Sequence, residues 1–149
     1  MLNVAIVGIG GWGKTLVTAV QGKSDKLRFV AGSTRRRALA EGFAAEAGFR
    51  LHDKYAEVLA DPQVEAVVLA TPHLDHEAQM IAAAKAGKHV FVEKPFTLDT
   101  ASARRALAAI ERAGVTVALG HNRRFHPNMN ELRARIRDGR LGVIEHIEA

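Results

Sequence analysis

A chain of 149 residues, 48% hydrophobic and 25% charged, is long enough for one domain with a sizeable core, too short for two full ones, and too apolar to be disordered. With no cysteine, a disulfide framework and a thiolate metal site are both excluded. The net charge of +5, with arginines grouped at 35–37, 104–105, 123–124 and 133–140, raises nucleic acid as a partner, but a single Trp, 5% aromatics and no helix-turn-helix pattern weigh against it.

The first apolar run follows no basic segment and is short and broken by glycine, which fits neither a signal peptide nor a membrane span; a cytoplasmic location is expected. Residues 2–7 read as a strand that meets the cluster Gly8-Ile9-Gly10-Gly11-Trp12-Gly13, and Leu16, Val17 and Val20 predict a helix over 13–20. A second strand is expected at 27–31. An alanine-rich helix over 36–47 is closed by Gly48, an edge strand at 49–52 follows, and a short helix over 55–59 stops at Asp61-Pro62. Residues 65–70 form a continuous apolar strand of the fully buried kind, ended by Thr71-Pro72. Then come a helix over 74–86 closed by Gly87, a strand at 89–92 running into Glu93-Lys94-Pro95, a helix over 100–113 capped by Asp99, and a strand at 115–119. This alternation predicts an α/β fold, a Rossmann-type doubly wound parallel sheet.

After Gly120 the rhythm changes. A helix with Met129, Leu132 and Ile136 on one side ends at Gly139, and 143–148 alternates like a half-buried strand. A strand needs a neighbour to bond its backbone, so this one is expected to pair with an edge or to open a second α+β domain. Residues 1–120 are read as the first domain, and 121–149 as a connecting helix and the first strand of a truncated second one.

The glycines satisfy two phosphate-binding patterns at once. Gly8, Gly10 and Gly13 make the dinucleotide fingerprint G-x-G-x-x-G, while Gly8, Gly13, Lys14 and Thr15 make the P-loop pattern of nucleotide hydrolases. A P-loop needs a magnesium-binding Asp at the end of a buried strand, and the buried strands here end in Ala70-Thr71, Glu93 and Leu119-Gly120. It also leaves Gly10 unused, whereas a dinucleotide needs a small residue there for its pyrophosphate. The dinucleotide reading is favoured. It calls for a ribose-binding residue after the second strand, where Ser33-Thr34-Arg35-Arg36 carries hydroxyls and guanidinium groups and no carboxylate. Those groups donate to a 2′-phosphate, which favours NADP over NAD; a solvated loop with a basic helix start is the plainer alternative.

Several stretches together resemble the glucose–fructose oxidoreductase and inositol dehydrogenase family (Gfo/Idh/MocA). They are the glycine cluster, Thr71-Pro72 with His76, the run from Ala86-Gly87-Lys88-His89 through Glu93-Lys94-Pro95, and Asn122-Arg123-Arg124-Phe125 before Pro127. The resemblance implies a sheet of order 3-2-1-4-5-6 and a second domain on a large open sheet, through which members form oligomers. It implies hydride transfer between a nicotinamide and a sugar, polyol or related alcohol. Lys94 becomes the candidate catalytic and substrate residue, its ammonium beside the reacting oxygen. Gly8, Gly10, Gly11, Trp12, Gly13, Ser33, Thr34, Arg35, Arg36, Thr71, Pro72, His76, Glu93 and Lys94 become the expected cofactor contacts, with Pro95 in a cis peptide. Arg123 and Arg124 border the expected substrate pocket. His76-Glu77 opens a zinc-like H-E-x-x-H pattern, but Met80 stands at the closing position, so no metal is expected. Two other readings stay open: a non-enzymatic NAD(P)-binding sensor or interaction protein, and a P-loop nucleotide hydrolase.

Overall fold

Short β-branched runs bounded by turn residues become strands: β1 (Leu2–Val7), β2 (Leu27–Ser33), β3 (Arg50–His52), β4 (Ala66–Leu69), β5 (His89–Glu93) and β6 (Val117–Gly120). Between and after them lie α1 (Gly11–Val20), α2 (Glu41–Ala47), α3 (Tyr55–Ala60), α4 (His76–Lys85), α5 (Thr100–Ala113) and α6 (Pro127–Arg137). The computed structural model describes residues 1–148, and its strands form one sheet in the order β3-β2-β1-β4-β5-β6 with every pair parallel. All six carboxyl ends therefore share one edge. The order reverses between β1 and β4, where open α/β sheets leave a crevice for ligands.

Side-chain alternation divides β1 between two cores. Val4 and Ile6 pack with Val17, Phe29 and Ala44 under α1 and α2, while Ala5 and Val7 pack with Met80, Ala84 and Ala106 under α4 and α5. The Asp99 cap is present as a capping box, the Ser102 N–H donating to the Asp99 side chain at 2.7 Å. Among the described residues no helix is long and apolar enough to cross a membrane.

Four expectations need correction. The helix over 36–47 splits into a 3₁₀ turn, Arg37–Leu39, and α2, because Arg37 reaches back to the Leu51 carbonyl at 3.2 Å and to Asp53 at 2.7 Å. A second 3₁₀ turn, His73–Asp75, precedes α4. The last strand starts at Val117 because Val115 donates its N–H to Ile110, completing the left-handed C-terminus of α5 at Gly114. Residues 143–148 form no strand: they find no neighbouring strand, and Val143, Ile144 and Ile147 stay exposed. Ala149, the end of the expected second unit, lies outside the described residues.

Candidate functional site

The glycine turn joins β1 to α1 at the crevice. Gly8 has φ of 93°, donates its N–H to the Ser33 carbonyl at 2.9 Å, and passes so close to Ala70 that a Cβ would lie 2.5 Å from its oxygen. Gly13 is buried, and a Cβ there would overlap the Gly8 carbonyl. A Cβ at Gly10 or Gly11 would meet no protein atom. Two glycines are thus required by the protein's own packing, and two leave open space above the amino end of α1. That helix has no side-chain cap at Gly10, so its first N–H groups point into the space as donors for an anion.

The P-loop alternative fails here. Lys14 turns away from the loop, its ammonium 3.4 Å from the Leu39 carbonyl and 5.4 Å from the Phe43 ring centroid. Thr15 donates its hydroxyl to Gly11 at 3.0 Å. Neither side chain aims at the phosphate position that a triphosphate site needs.

Two hollows adjoin the turn and share Ala70 and Thr71. The first, about 470 Å³, lies between the ends of β1, β2 and β4 and is lined by Gly8, Gly10, Ser33, Thr34, Arg35, Arg36, Thr71 and Pro72. It also contains residues that sequence reasoning missed: Asp53, Tyr55, Asp75 and Gln79. Tyr55 donates its hydroxyl to the Gln79 carbonyl at 2.9 Å, and burial pushes that hydroxyl well above the ordinary tyrosine range. The Gln79 side-chain oxygen in turn accepts from Thr71 at 2.6 Å, which fixes the threonine at the crevice.

The second hollow, about 400 Å³, is lined by Trp12, Thr71, His73, Glu93, Lys94, Asn122 and Arg123. Trp12 therefore flanks the Lys94 side of the cleft rather than packing under α1; it is 44% exposed. The Lys94–Pro95 peptide is cis. Glu93 is buried, its carboxylate standing over Gly120, where a Cβ would come within 2.7 Å of Oε1. That carboxylate accepts the Lys94 backbone N–H at 3.3 Å, and the Lys94 side chain is exposed. Neither His73 nor Asn122 is among the expected contacts, although Asn122 opens the motif Asn122–Phe125; both follow a strand end, the positional signal they share.

Two expected site residues fall elsewhere. His76 has no exposed surface; its Nδ1 lies 2.9 Å from the Pro95 carbonyl and its Nε2 3.1 Å from the Thr71 carbonyl. It lines neither hollow and ties together the two segments that do, because the first turn of α4 points it inward. Arg124 also lines neither hollow: the 3₁₀ turn Asn122–Phe125 brings Arg123 to the rim and leaves Arg124 and Phe125 in solvent.

Carboxyl ends of parallel strands, a glycine turn at a helix N-terminus and a paired hollow at the switch point make the crevice of a dinucleotide-binding sheet. Comparison with known proteins agrees. Residues 2–121 match the model of an oxidoreductase family with an NAD-binding Rossmann fold, Gfo/Idh/MocA. Over 147 residues the chain is 38% identical to the scyllo-inositol 2-dehydrogenase (NAD(+)) of Bacillus subtilis, covering 95% of this chain and 42% of that protein. It is 36% identical over 147 residues to an inositol 2-dehydrogenase of Rhizobium meliloti, covering 98% and 44%. The crystal structure of scyllo-inositol dehydrogenase from Lactobacillus casei, with bound NAD(H) and scyllo-inositol, superposes with a TM-score of 0.88 at 26% identity, covering 95% and 42%. The chain thus spans less than half the length of these relatives, and it belongs to the Gfo/Idh/MocA oxidoreductase family, of which it carries the NAD-binding Rossmann domain.

Proposed function

We propose that the chain binds a nicotinamide dinucleotide across both hollows and serves an oxidoreductase acting on a cyclic polyol or related sugar alcohol. The observation that carries this is the contrast at the glycine turn: Gly8 and Gly13 are closed by protein, while Gly10 and Gly11 face open space at the N-terminus of α1. Gly10 and Gly11 at the head of α1 would hold the pyrophosphate, Ser33–Arg36 the adenosine half, and Thr71, Trp12 and Lys94 the nicotinamide half.

A bound nicotinamide supplies or accepts a hydride. The chain's own residues do the rest. Lys94 is the proposed catalytic residue: in the reducing direction its exposed ammonium hydrogen-bonds the carbonyl oxygen and gives it a proton as the carbon gains a hydride, leaving a neutral amine, and in the oxidising direction the neutral amine takes that proton back from the hydroxyl. Glu93 fixes the backbone from which Lys94 springs, and Arg123 supports the rim on the substrate side. Cyclic polyols are favoured because two of the similar proteins are named inositol dehydrogenases. Ser33, Thr34, Arg35 and Arg36 favour NADP through donors to a 2′-phosphate, a preference that departs from the NAD(+) in the name of the Bacillus subtilis relative. Residues 121–149 form the link to a second domain, and self-association through such a domain is part of this reading.

Titration of the protein with NADPH, NADH and ATP–magnesium, followed by Trp12 fluorescence, tests the assignment. Saturable binding of the reduced nicotinamides, with no response to ATP–magnesium, is expected. Response to ATP–magnesium alone overturns it. Hydride transfer is read on a longer chain that carries the second domain: nicotinamide binding without transfer to any polyol or its ketone there favours the sensor over the enzyme.

A further inference from the structure

The run Arg35-Arg36-Arg37 looks like a block of positive charge in the sequence, yet the fold meets it with three carboxylates. Arg37 pairs with Glu41 at 3.1 Å and Asp53 at 2.7 Å, and Arg35 Nη2 lies 3.0 and 2.7 Å from the two carboxylate oxygens of Asp75. The second of these contacts crosses the crevice. Arg35 follows β2, Asp75 sits in the 3₁₀ turn after β4, and both line the hollow assigned to the adenosine half.

We propose that Asp75 is a specificity-determining residue that lowers the preference for a 2′-phosphorylated cofactor by holding Arg35 as its own partner. The proposal rests on the dinucleotide reading of the site. Its physical basis is competition for one cation. A 2′-phosphate is a dianion seeking the guanidinium that Asp75 already engages, and Asp75 repels it across the same gap. With an unphosphorylated ribose there is no competitor, and the pair bridges the two sides of the crevice unchanged. The contact is easily exchanged. The Arg35 side chain is 78% exposed, and such pairs contribute little to stability. Only one nitrogen of Arg35 is engaged, so its remaining donors are free to turn to phosphate while Asp75 still draws on its charge. Three arginines therefore do not act here as three.

The test measures dissociation constants of 2′,5′-ADP and 5′-AMP for the wild-type protein, Asp75→Asn, Arg35→Ala and the double variant. Asp75→Asn keeps the shape of the side chain and removes only the competing charge. It is expected to shift the affinity ratio about fivefold toward 2′,5′-ADP, the scale of one rim charge. The shift should shrink with added salt, and should largely vanish when Arg35 is already Ala. An unchanged ratio, or a shift of equal size without Arg35, overturns the proposal. Arg35→Ala separates it from the reading beneath. If that variant weakens 2′,5′-ADP while Asp75→Asn leaves the ratio alone, the cofactor site stands and the role of Asp75 falls. If neither ligand binds the wild type, both fall.

Discussion

The two hollows of the cleft are built by different means. The floor of the first is braced by hydrogen bonds: Gly8 is held to Ser33 and Ala70 to Val7 through the backbone, and Thr71 is fixed through Gln79 and Tyr55, with Arg35 and Asp75 at its rim. Long exposed side chains line the second, with Trp12, Lys94 and Arg123 standing on buried anchors such as Glu93 and Gly120. The half that grips the cofactor is set by the sheet itself. The half that meets substrate is a platform whose reactive group is free to adjust to what is packed against it. Affinity for cofactor and rate of hydride transfer should therefore separate under mutation.

The largest expected effect follows from that separation. In a longer chain that carries the second domain, Lys94→Ala should lower hydride transfer to a polyol by about 10²–10⁴-fold while leaving the NADPH dissociation constant within about twofold, checked by steady-state rates beside direct binding. Equal losses in both would merge the two hollows into one function. Gly13→Ala strikes the other half. Its Cβ overlaps the Gly8 carbonyl, so the turn must open at a cost of about 1–3 kcal/mol, read as a lower midpoint in urea together with lost nucleotide binding. Gly11→Ala, with open space around it, should unfold at the wild-type midpoint.

Within the first hollow, replacing Arg35 and Arg36 by Ala should weaken NADPH about tenfold and NADH much less, measured by fluorescence titration. Equal weakening of both removes the 2′-phosphate assignment. A smaller effect lies outside the cleft, at the carboxyl end of α3, where Asp61 meets His52 of β3. The Gln63 N–H donates to Asp61 at 2.8 Å and holds its carboxyl below the ordinary range against the opposing effect of burial, with help from His52 and Arg50. The folded carboxyl binds its proton less readily than the unfolded one. Its stabilisation is thus complete above the ordinary carboxylate range near pH 4 and fades as pH falls through the lowered folded value. Asp61→Asn should flatten the acid limb of a stability–pH curve and leave the cleft's affinities unchanged. Smallest of all, Leu132→Ser on the exposed face of α6 should alter stability by less than about 0.5 kcal/mol in this chain.

The sequence revealed what the backbone demands. Gly8 and Gly13 are legible because no other residue fits a left-handed turn or so close a carbonyl, and the buried runs of β1, β4 and β5 because a parallel sheet covered on both faces requires them. It concealed what depends on facing. His76 stands near Thr71-Pro72 in the chain, but only the pitch of the first turn of α4 decides that it points inward, to the Thr71 and Pro95 carbonyls. Asp75 and Asp53 read as ordinary loop acids until the fold brings them against Arg35 and Arg37 from 40 and 16 residues away. The alternation at 143–148 promised a strand, and periodicity alone cannot supply the partner that a strand needs.

The assignment of the two hollows meets its sharpest test in the indole N–H resonance of Trp12, the one tryptophan in the chain. Trp12 lines only the hollow that holds Lys94. Intact NADPH should shift that resonance and 2′,5′-ADP should leave it in place while still binding. A shift of the same size with 2′,5′-ADP, or no shift with saturating NADPH, would contradict a dinucleotide laid across the glycine turn with its nicotinamide at Lys94.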